Sequence, residues 1–211
     1  GLKSFDNKKN VKKNLNIAKR TLFKQNKNLI IPDQYHSNKC LTATSNNPYP
    51  RCDALVTSDN SLILGITAAD CLPIIFYDQK NYVIGIAHAG WKGLVKGVVQ
   101  NTLNKMINLG AQKKSIKSII GPCIRVRSYE VNKDFVKKLK TEYQKFAVRR
   151  MQKIYFDLPK LAKYILLNSN ISEVHDTKKN TFLDKNYFSF RESKKKKLKD
   201  YGRNINLISI I

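Results

Sequence analysis

The sequence predicts a mixed α/β (α+β) fold, a single-domain α/β sandwich around a central mixed sheet. Three observations carry that expectation. Between residues 54 and 88, four short Ile- and Val-rich runs are separated by turn residues, the pattern of buried strands. After Gly90, and again after Asp157, apolar residues recur at helical spacing. The chain closes on one more apolar run, Asn204–Ile211, with no internal repeat and no linker-like stretch before it.

In chain order, residues 1–30 are polar and Lys-rich. Weak helical spacing at Val11, Leu15, Ala18 and Leu22 predicts one surface helix there, part of the same domain, which spans 1–211. Pro32, Pro48, Pro50 and the Asn46-Asn47 pair make residues 32–50 mostly extended or loop. Ala54–Thr57, Leu62–Thr67, Leu72–Tyr77 and Tyr82–His88 are the strands, and Asp78-Gln79-Lys80-Asn81 is the hairpin connection. Gly90-Trp91-Lys92-Gly93 opens a helix with Leu94, Val95, Val98, Val99, Leu103, Met106 and Ile107 on one face and Gly110 at its C-terminal cap. Ile116–Ile120 returns to the sheet and stops at Gly121-Pro122. Asp134–Tyr143 is a second helix, and Asp157 with Pro159 in the first turn starts a third, through Leu167. Tyr187–Arg191 and Asn204–Ile211 are the closing strands around a Lys-rich loop.

Composition bounds the function. The 211 residues are 42% hydrophobic, a globular value, although 40 Lys and Arg against 15 Asp and Glu leave a formal charge of +25. Such a charge suggests nucleic acid. Yet only 8 of the 40 cations are Arg, the better residue for bidentate phosphate and base contacts. Residues 51–91, moreover, carry only Arg51 and Lys80 against Asp53, Asp59, Asp70 and Asp78. Solvated surface charge is therefore preferred, and a basic nucleic-acid-binding protein is kept as the alternative of another class. The most apolar stretch, Leu62–Tyr77, is broken by Gly65, Asp70 and Pro73, which excludes a helical membrane span of roughly 18 residues. No apolar run follows the basic N-terminal residues, so no secretory signal is expected. Cys40, Cys52, Cys71 and Cys123 form no disulfide framework, and a reducing cytoplasm is the simplest setting.

The chemistry-bearing residues are few. His36 lies in a loop-like stretch, His88 ends a buried strand beside Gly90, and Cys71 sits with Asp70 in a break within an apolar run. An Asp at such a break is costly to bury unless paired or hydrogen-bonded. A His/Cys/His set suits Zn²⁺ with a fourth position open, although spacings of 35 and 17 residues match no short zinc signature. A lone Cys is more often a small hydrophobe, and a strand-end His more often a hydrogen-bonded structural residue.

Several stretches occur in an order that resembles the YfiH-like family, once described as laccase-domain or polyphenol oxidases and now as purine nucleoside phosphorylases. They are Gln34-x-His36-Ser37, Asp53-Ala54-Leu55-Val56-Thr57, Thr67-Ala68-Ala69-Asp70-Cys71-x-Pro73 and His88-Ala89-Gly90-Trp91-Lys92-Gly93. Gly121-Pro122-Cys123-Ile124, Tyr129-Glu130-Val131, Phe188-Ser189-Phe190-Arg191 and Gly202-Arg203-Asn204 follow. The resemblance runs from about residue 10 to the C-terminus. It implies one zinc held by His36, Cys71 and His88 at one end of the sheet, with copper the lesser choice. Two departures stand out: the Gly-Gly-Val-Ser-like stretch usual near the start of family members is not seen, and near the C-terminus the usual Cys-Thr is missing, with Lys179-Asn180-Thr181 nearby, and the Arg-Arg pair is reduced to Arg191-Glu192.

The implied activity is phosphorolysis of adenosine and inosine to base and ribose 1-phosphate, with adenosine deamination and methylthioadenosine cleavage as related activities. Four-copper oxidase chemistry is excluded by counting, since it takes on the order of ten histidines and the chain has 3. Arg51, Lys92, Arg191 and Arg203 are the candidate phosphate-binding cations, with Arg191 and Arg203 preferred because they fall in the shared motifs. Asp70, Cys71 and His88 are the candidate catalytic groups, Asp70 either orienting a zinc ligand or accepting a proton. Gln34 either binds purine or satisfies a turn, and Trp91 either stacks on a base or packs. A Cys-His hydrolase acting in peptidoglycan precursor editing, with Cys71 as nucleophile and His88 as base, is the alternative within enzymes. Family members can be homodimers, and no membrane partner is expected.

Overall fold

The computed structural model describes residues 4–23, 27–171 and 173–211. Helix α1 (Lys8–Leu22) is capped by the Asn7 side chain, which accepts from Lys9 N, and buries Val11. It is shorter than the helical segment expected over 1–30, because Asn28–Ile30 (β1) pairs as a strand and buries Ile30. Residues 1–3 and 24–26 of that expectation lie outside the described residues. The 32–50 stretch is mostly loop but contains a strand, β2 (Cys40–Thr42), laid parallel to β3 (Ala54–Thr57).

Strands β4 (Leu62–Ala68), β5 (Leu72–Asp78) and β6 (Val83–Ala89) follow the expected runs closely. The β5–β6 hairpin turns where expected. Buried Asp78 holds it by accepting from Lys80 N, Asn81 N and Asn81 Nδ2, and also from Gln112 N and Ser115 Oγ. The single helix expected after Gly90 is two, α2 (Trp91–Lys96) and α3 (Val98–Asn108). Gly97 between them sits at φ +93, a conformation open to glycine and strained for other residues. Ile107 leaves the expected apolar face and is 40% exposed.

After β7 (Lys117–Ile120), sequence and structure diverge most. β8 (Glu130–Val131), β9 (Ala147–Arg150) and β10 (Lys153–Phe156) make a small antiparallel sheet that was not expected. The helix expected over Asp134–Tyr143 is two short ones, α4 (Lys133–Lys137) and α5 (Thr141–Gln144). Helix α6 (Leu158–Asn168) starts as read, with Asp157 accepting from Lys160 N and Pro159 in the first turn. β11 (Val174–Asp176) was not expected. Tyr187–Arg191 is not a strand: Ser189 accepts from Glu192 N and starts α7 (Phe190–Lys195). β12 (Asn204–Ser209) closes the chain as expected.

Among the described residues the strands form three sheets. The largest has the order β11-β7-β5-β6-β3-β2 and is mixed, with parallel outer pairs and antiparallel inner ones. A second, β1-β4-β12, lies against one of its faces. There Leu55, Ile84 and Ile86 meet Leu62, Leu64 and Ile66. On the other face Val56, Phe76 and Ala87 pack with Val98, Leu103 and Met106 of α3 and Leu161 and Ile165 of α6. Both faces are covered, which is why these strands read as continuous apolar runs. Each large side chain so buried contributes about 1.5–3 kcal/mol. The loops at one end of this slab gather the reactive residues.

Candidate metal centre

Three loops meet where β5 begins and β6 ends. His36 comes from the β1–β2 connection with φ +62, and Cys71 follows Asp70, at φ +81, in the tight β4–β5 corner. His88 lies on β6 opposite Pro73. The donor atoms of His36, Cys71 and His88 all lie within 4.8 Å of one another, with Cys71 Sγ 3.7 Å from His36 Nε2. The two imidazole rings meet edge to face at 4.9 Å. Two bonds of zinc length to S and N, at a tetrahedral angle, span about 3.6 Å. A Cβ at Gly90 would lie 3.2 Å from both Cys71 Sγ and His36 Cδ2, so the missing side chain leaves the donors room. Two imidazoles and a thiolate in this arrangement fit a zinc-type ion.

Asp53, fully buried, is the residue to which sequence reasoning gave no role. Its Oδ1 accepts from His88 Nδ1 at 2.9 Å and from His36 N at 3.0 Å. Its Oδ2 accepts from Ser37 N at 2.6 Å, Ser37 Oγ at 2.7 Å and Tyr35 N at 3.3 Å. Burial alone would raise the Asp53 pKa, but the hydrogen bonds from His88 and Ser37 outweigh it and hold the carboxyl at about 2. The available signal was a carboxylate at the head of a strand with no other polar residue before Thr57. Burial opposes charge on Cys71 and His88 too. Their mutual attraction, with His36 beside Cys71 and Asp53 beside His88, pulls the thiol below its ordinary value and lifts the imidazole above its own.

Asp70 has a further role, in holding the loop beside the trio. Its carboxylate accepts from Thr181 Oγ1 at 2.8 Å, Ser189 Oγ at 2.9 Å and Arg191 N at 2.6 Å, so it ties the 181–191 segment to the Cys71 corner. Those three donors occupy both oxygens, and the oxygen that orients a histidine belongs to Asp53. Gln34 is committed to β4: its amide accepts from Thr67 N at 2.9 Å and donates to Thr67 O at 2.8 Å. Trp91 packs edge to face on Phe135 at 4.9 Å.

Two cavities open onto the trio, and His36, Ala69, Cys71 and Phe190 line both. One, of about 580 Å³, adds His88, Asp33, Gln34, Tyr49, Tyr201 and Arg203, a mixed wall with one carboxylate and one cation. The other, of about 480 Å³, adds Lys92, Lys96 and Arg191 beside Trp91 and Tyr129. Arg191 Nη1 donates to Glu130 O at 2.9 Å, and its guanidinium lies 5.5 Å from the Tyr129 ring centre. Arg203 stacks over Tyr201 at 4.5 Å. Arg51 lies over Tyr35 at 5.1 Å and lines neither cavity, so the structure does not bring it to the trio.

The family model described as multi-copper polyphenol oxidoreductase laccase matches residues 1–211. A purine nucleoside phosphorylase of Rickettsia prowazekii is 29% identical over 173 residues, 79% of this chain and 71% of that one. One of Campylobacter jejuni is 28% identical over 183 residues, 86% and 79% of the two chains. The crystal structure of a Neisseria meningitidis protein described as DUF152 superposes with a TM-score of 0.86 at 26% identity, covering 100% of this chain and 85% of that one. YlmD from Geobacillus stearothermophilus has the same fold, with a TM-score of 0.88 at 21% identity over 100% of this chain and 83% of its own.

Proposed function

Because the chain belongs to the multi-copper polyphenol oxidoreductase laccase family and is similar to proteins named purine nucleoside phosphorylases, we propose that it is a zinc-dependent purine nucleoside phosphorylase. It cleaves adenosine or inosine with phosphate and deaminates adenosine as a side activity. One observation carries the reading: the His36–Cys71–His88 trio borders two cavities, one with Tyr49, Phe190 and Tyr201 in its wall and one with Lys92, Lys96 and Arg191.

His36, Cys71 and His88 would hold the ion. When bound, zinc supplies a Lewis-acidic centre with an open position for oxygen or nitrogen ligands. The protein's own groups do the rest. Tyr49, Phe190 and Tyr201 offer flat faces to a purine. Lys92, Lys96 and Arg191 draw phosphate to the other side and hold its charge as it attacks. A phosphate oxygen bonds to C1′ of the ribose as the C1′–N9 bond breaks. The electron pair leaves with the purine, and the proton of hydrogen phosphate ends on the base, so no further reactant is needed. Phe190 lines both cavities, limits water at the reacting carbon, and is placed by the Asp70 contacts to Ser189 and Arg191.

Release of hypoxanthine from inosine tests this. It should require phosphate and fall at least about 100-fold in His36→Ala, and release that proceeds equally without phosphate refutes phosphorolysis. One observation favours a second reading: Asp53 bonds His88 Nδ1 at 2.9 Å, and the other donor atoms of the trio, Cys71 Sγ among them, lie within 4.8 Å, the order acid, base and thiol of a cysteine hydrolase. Thiol alkylation that abolishes activity and that zinc does not block separates the two.

A further inference from the structure

We propose that Asp53 is a positioning residue that sets both histidine donors of the centre through one carboxylate, a proposal that rests on the metal reading above. The same oxygen, Oδ1, accepts from the backbone N–H of His36 and the ring Nδ1 of His88. The other accepts three hydrogen bonds from Tyr35 and Ser37, the residues flanking His36. All five donors thus come from the two segments that carry the imidazoles. A buried carboxylate needs partners wherever it lies, but a purely structural one draws them from any neighbour. Asp78 is the contrast, fully satisfied by the hairpin and by Gln112 and Ser115, with no donor from the trio's segments.

The anchor is itself fixed. Asp53 O accepts from His88 N at 2.7 Å, and Asp53 N donates to Lys39 O at 3.0 Å, so its backbone is held by the sheet beside His88. From there the carboxylate gathers three successive N–H groups of residues 35–37. That concave turn holds His36 at φ +62, a conformation that is strained for a non-glycine residue without such support. On the other ligand the effect is electronic. An ionised carboxylate only accepts, so Nδ1 of His88 carries the proton and Nε2 presents its lone pair to the site. Carboxylate–histidine pairs of this kind raise ligand basicity and fix ring orientation.

The test is zinc affinity, measured by competition with a chromophoric chelator, together with thermal melts of the zinc-free proteins. Asp53→Asn should bind zinc about 10–100-fold more weakly than the wild type. Asp78→Asn, which loses an equally buried carboxylate, should melt lower and keep its zinc affinity. Equal loss of affinity in both variants, or none in Asp53→Asn, overturns the proposal. Should Asp53→Asn fail to fold, ¹⁵N-histidine spectra of the zinc-loaded wild type decide. A protonated Nδ1 and a metal-bound Nε2 on His88 support the assignment, and a metal-bound Nδ1 overturns it. A wild-type chain that takes up no zinc at all overturns the metal reading itself, and the proposal with it.

Discussion

Gly90 has a backbone that any residue adopts, φ −64 and ψ 163, so what its missing side chain provides is space. A Cβ there would press on Cys71 Sγ and His36 Cδ2 at 3.2 Å, tighter than ordinary contact. Gly90→Ala should therefore separate folding from function. Stability should hold or rise by up to about 1 kcal/mol, because alanine restricts the unfolded chain. Zinc affinity and turnover should fall roughly tenfold as the donors are pushed off their positions. Melting the zinc-free variant and titrating it with zinc checks both halves, and an unchanged zinc affinity would show that the ligands simply yield. The contrast between Asp70 and Asp53 is instructive at this scale. Both anchor a left-handed residue that delivers a ligand, Asp70 being that residue itself and Asp53 bonding the turn around His36. The sequence pointed to Asp70 because it interrupts an apolar run. Asp53 stands at the edge of one, and its partners Tyr35, Ser37 and His88 lie 16 to 35 residues away along the chain. Only the fold brings them together.

At the level of elements, α7 is where reading and structure part most clearly. Phe188-Ser189-Phe190 alternates like a strand, yet Ser189 and Glu192 stand three apart, and the serine accepts from Glu192 N at a helix start. Local capping wins over alternation because Phe188 and Phe190 remain 55% and 40% exposed, so no buried face rewards a strand. Ser189 Oγ also donates to Asp70, so one hydroxyl both caps α7 and places Phe190 at the two cavities. Ser189→Ala should cost about 1–2 kcal/mol of stability and lower turnover on inosine more than it weakens zinc binding. Denaturant melts and steady-state kinetics check this, and a loss confined to zinc affinity would contradict it. The legible elements were those whose periodicity and burial agree: β3 to β6 and α6, where Ala54–Thr57 and Leu158–Leu166 are mostly buried. The three metal-site candidates were singled out by the family resemblance, since their spacings match no short zinc signature, and the fold brings their donor atoms within 4.8 Å of one another. β8, β9 and β10 were not, since Arg149, Arg150 and Lys153 face solvent and carry no apolar rhythm.

Across the whole molecule, the charge of +25 has a consequence for stability. Asp53, Asp78 and Asp176 all have folded-state pKa values below the ordinary carboxylate range. Burial opposes this in each case. Hydrogen bonds outweigh it, from His88 and Ser37 in the first, from Ser115 and Asn81 in the second, and from Arg125 in the third. A carboxyl with a depressed folded pKa stabilises fully above its unfolded value of about 3.9 and loses that stabilisation as pH falls through the folded value. Protonating any of the 15 acidic residues also raises a charge that is already large and of one sign, and self-repulsion grows. Both effects act in the same direction. Between about pH 7 and pH 5 the lowered thiol of Cys71 and the raised imidazole of His88 act in opposite senses, and the thermal midpoint of the zinc-free chain should drop steeply below about pH 4. Salt distinguishes the two causes. Raising ionic strength from about 0.01 M to 0.5 M shortens the screening length several-fold. It should recover part of the midpoint lost to repulsion at pH 4, but not the part held in the buried Asp53 and Asp78 contacts. Melting curves across pH at both salt levels measure each share. A midpoint that rises as pH falls from 5 to 3 would contradict the sign of all three shifts, and full recovery by salt would leave repulsion as the sole cause.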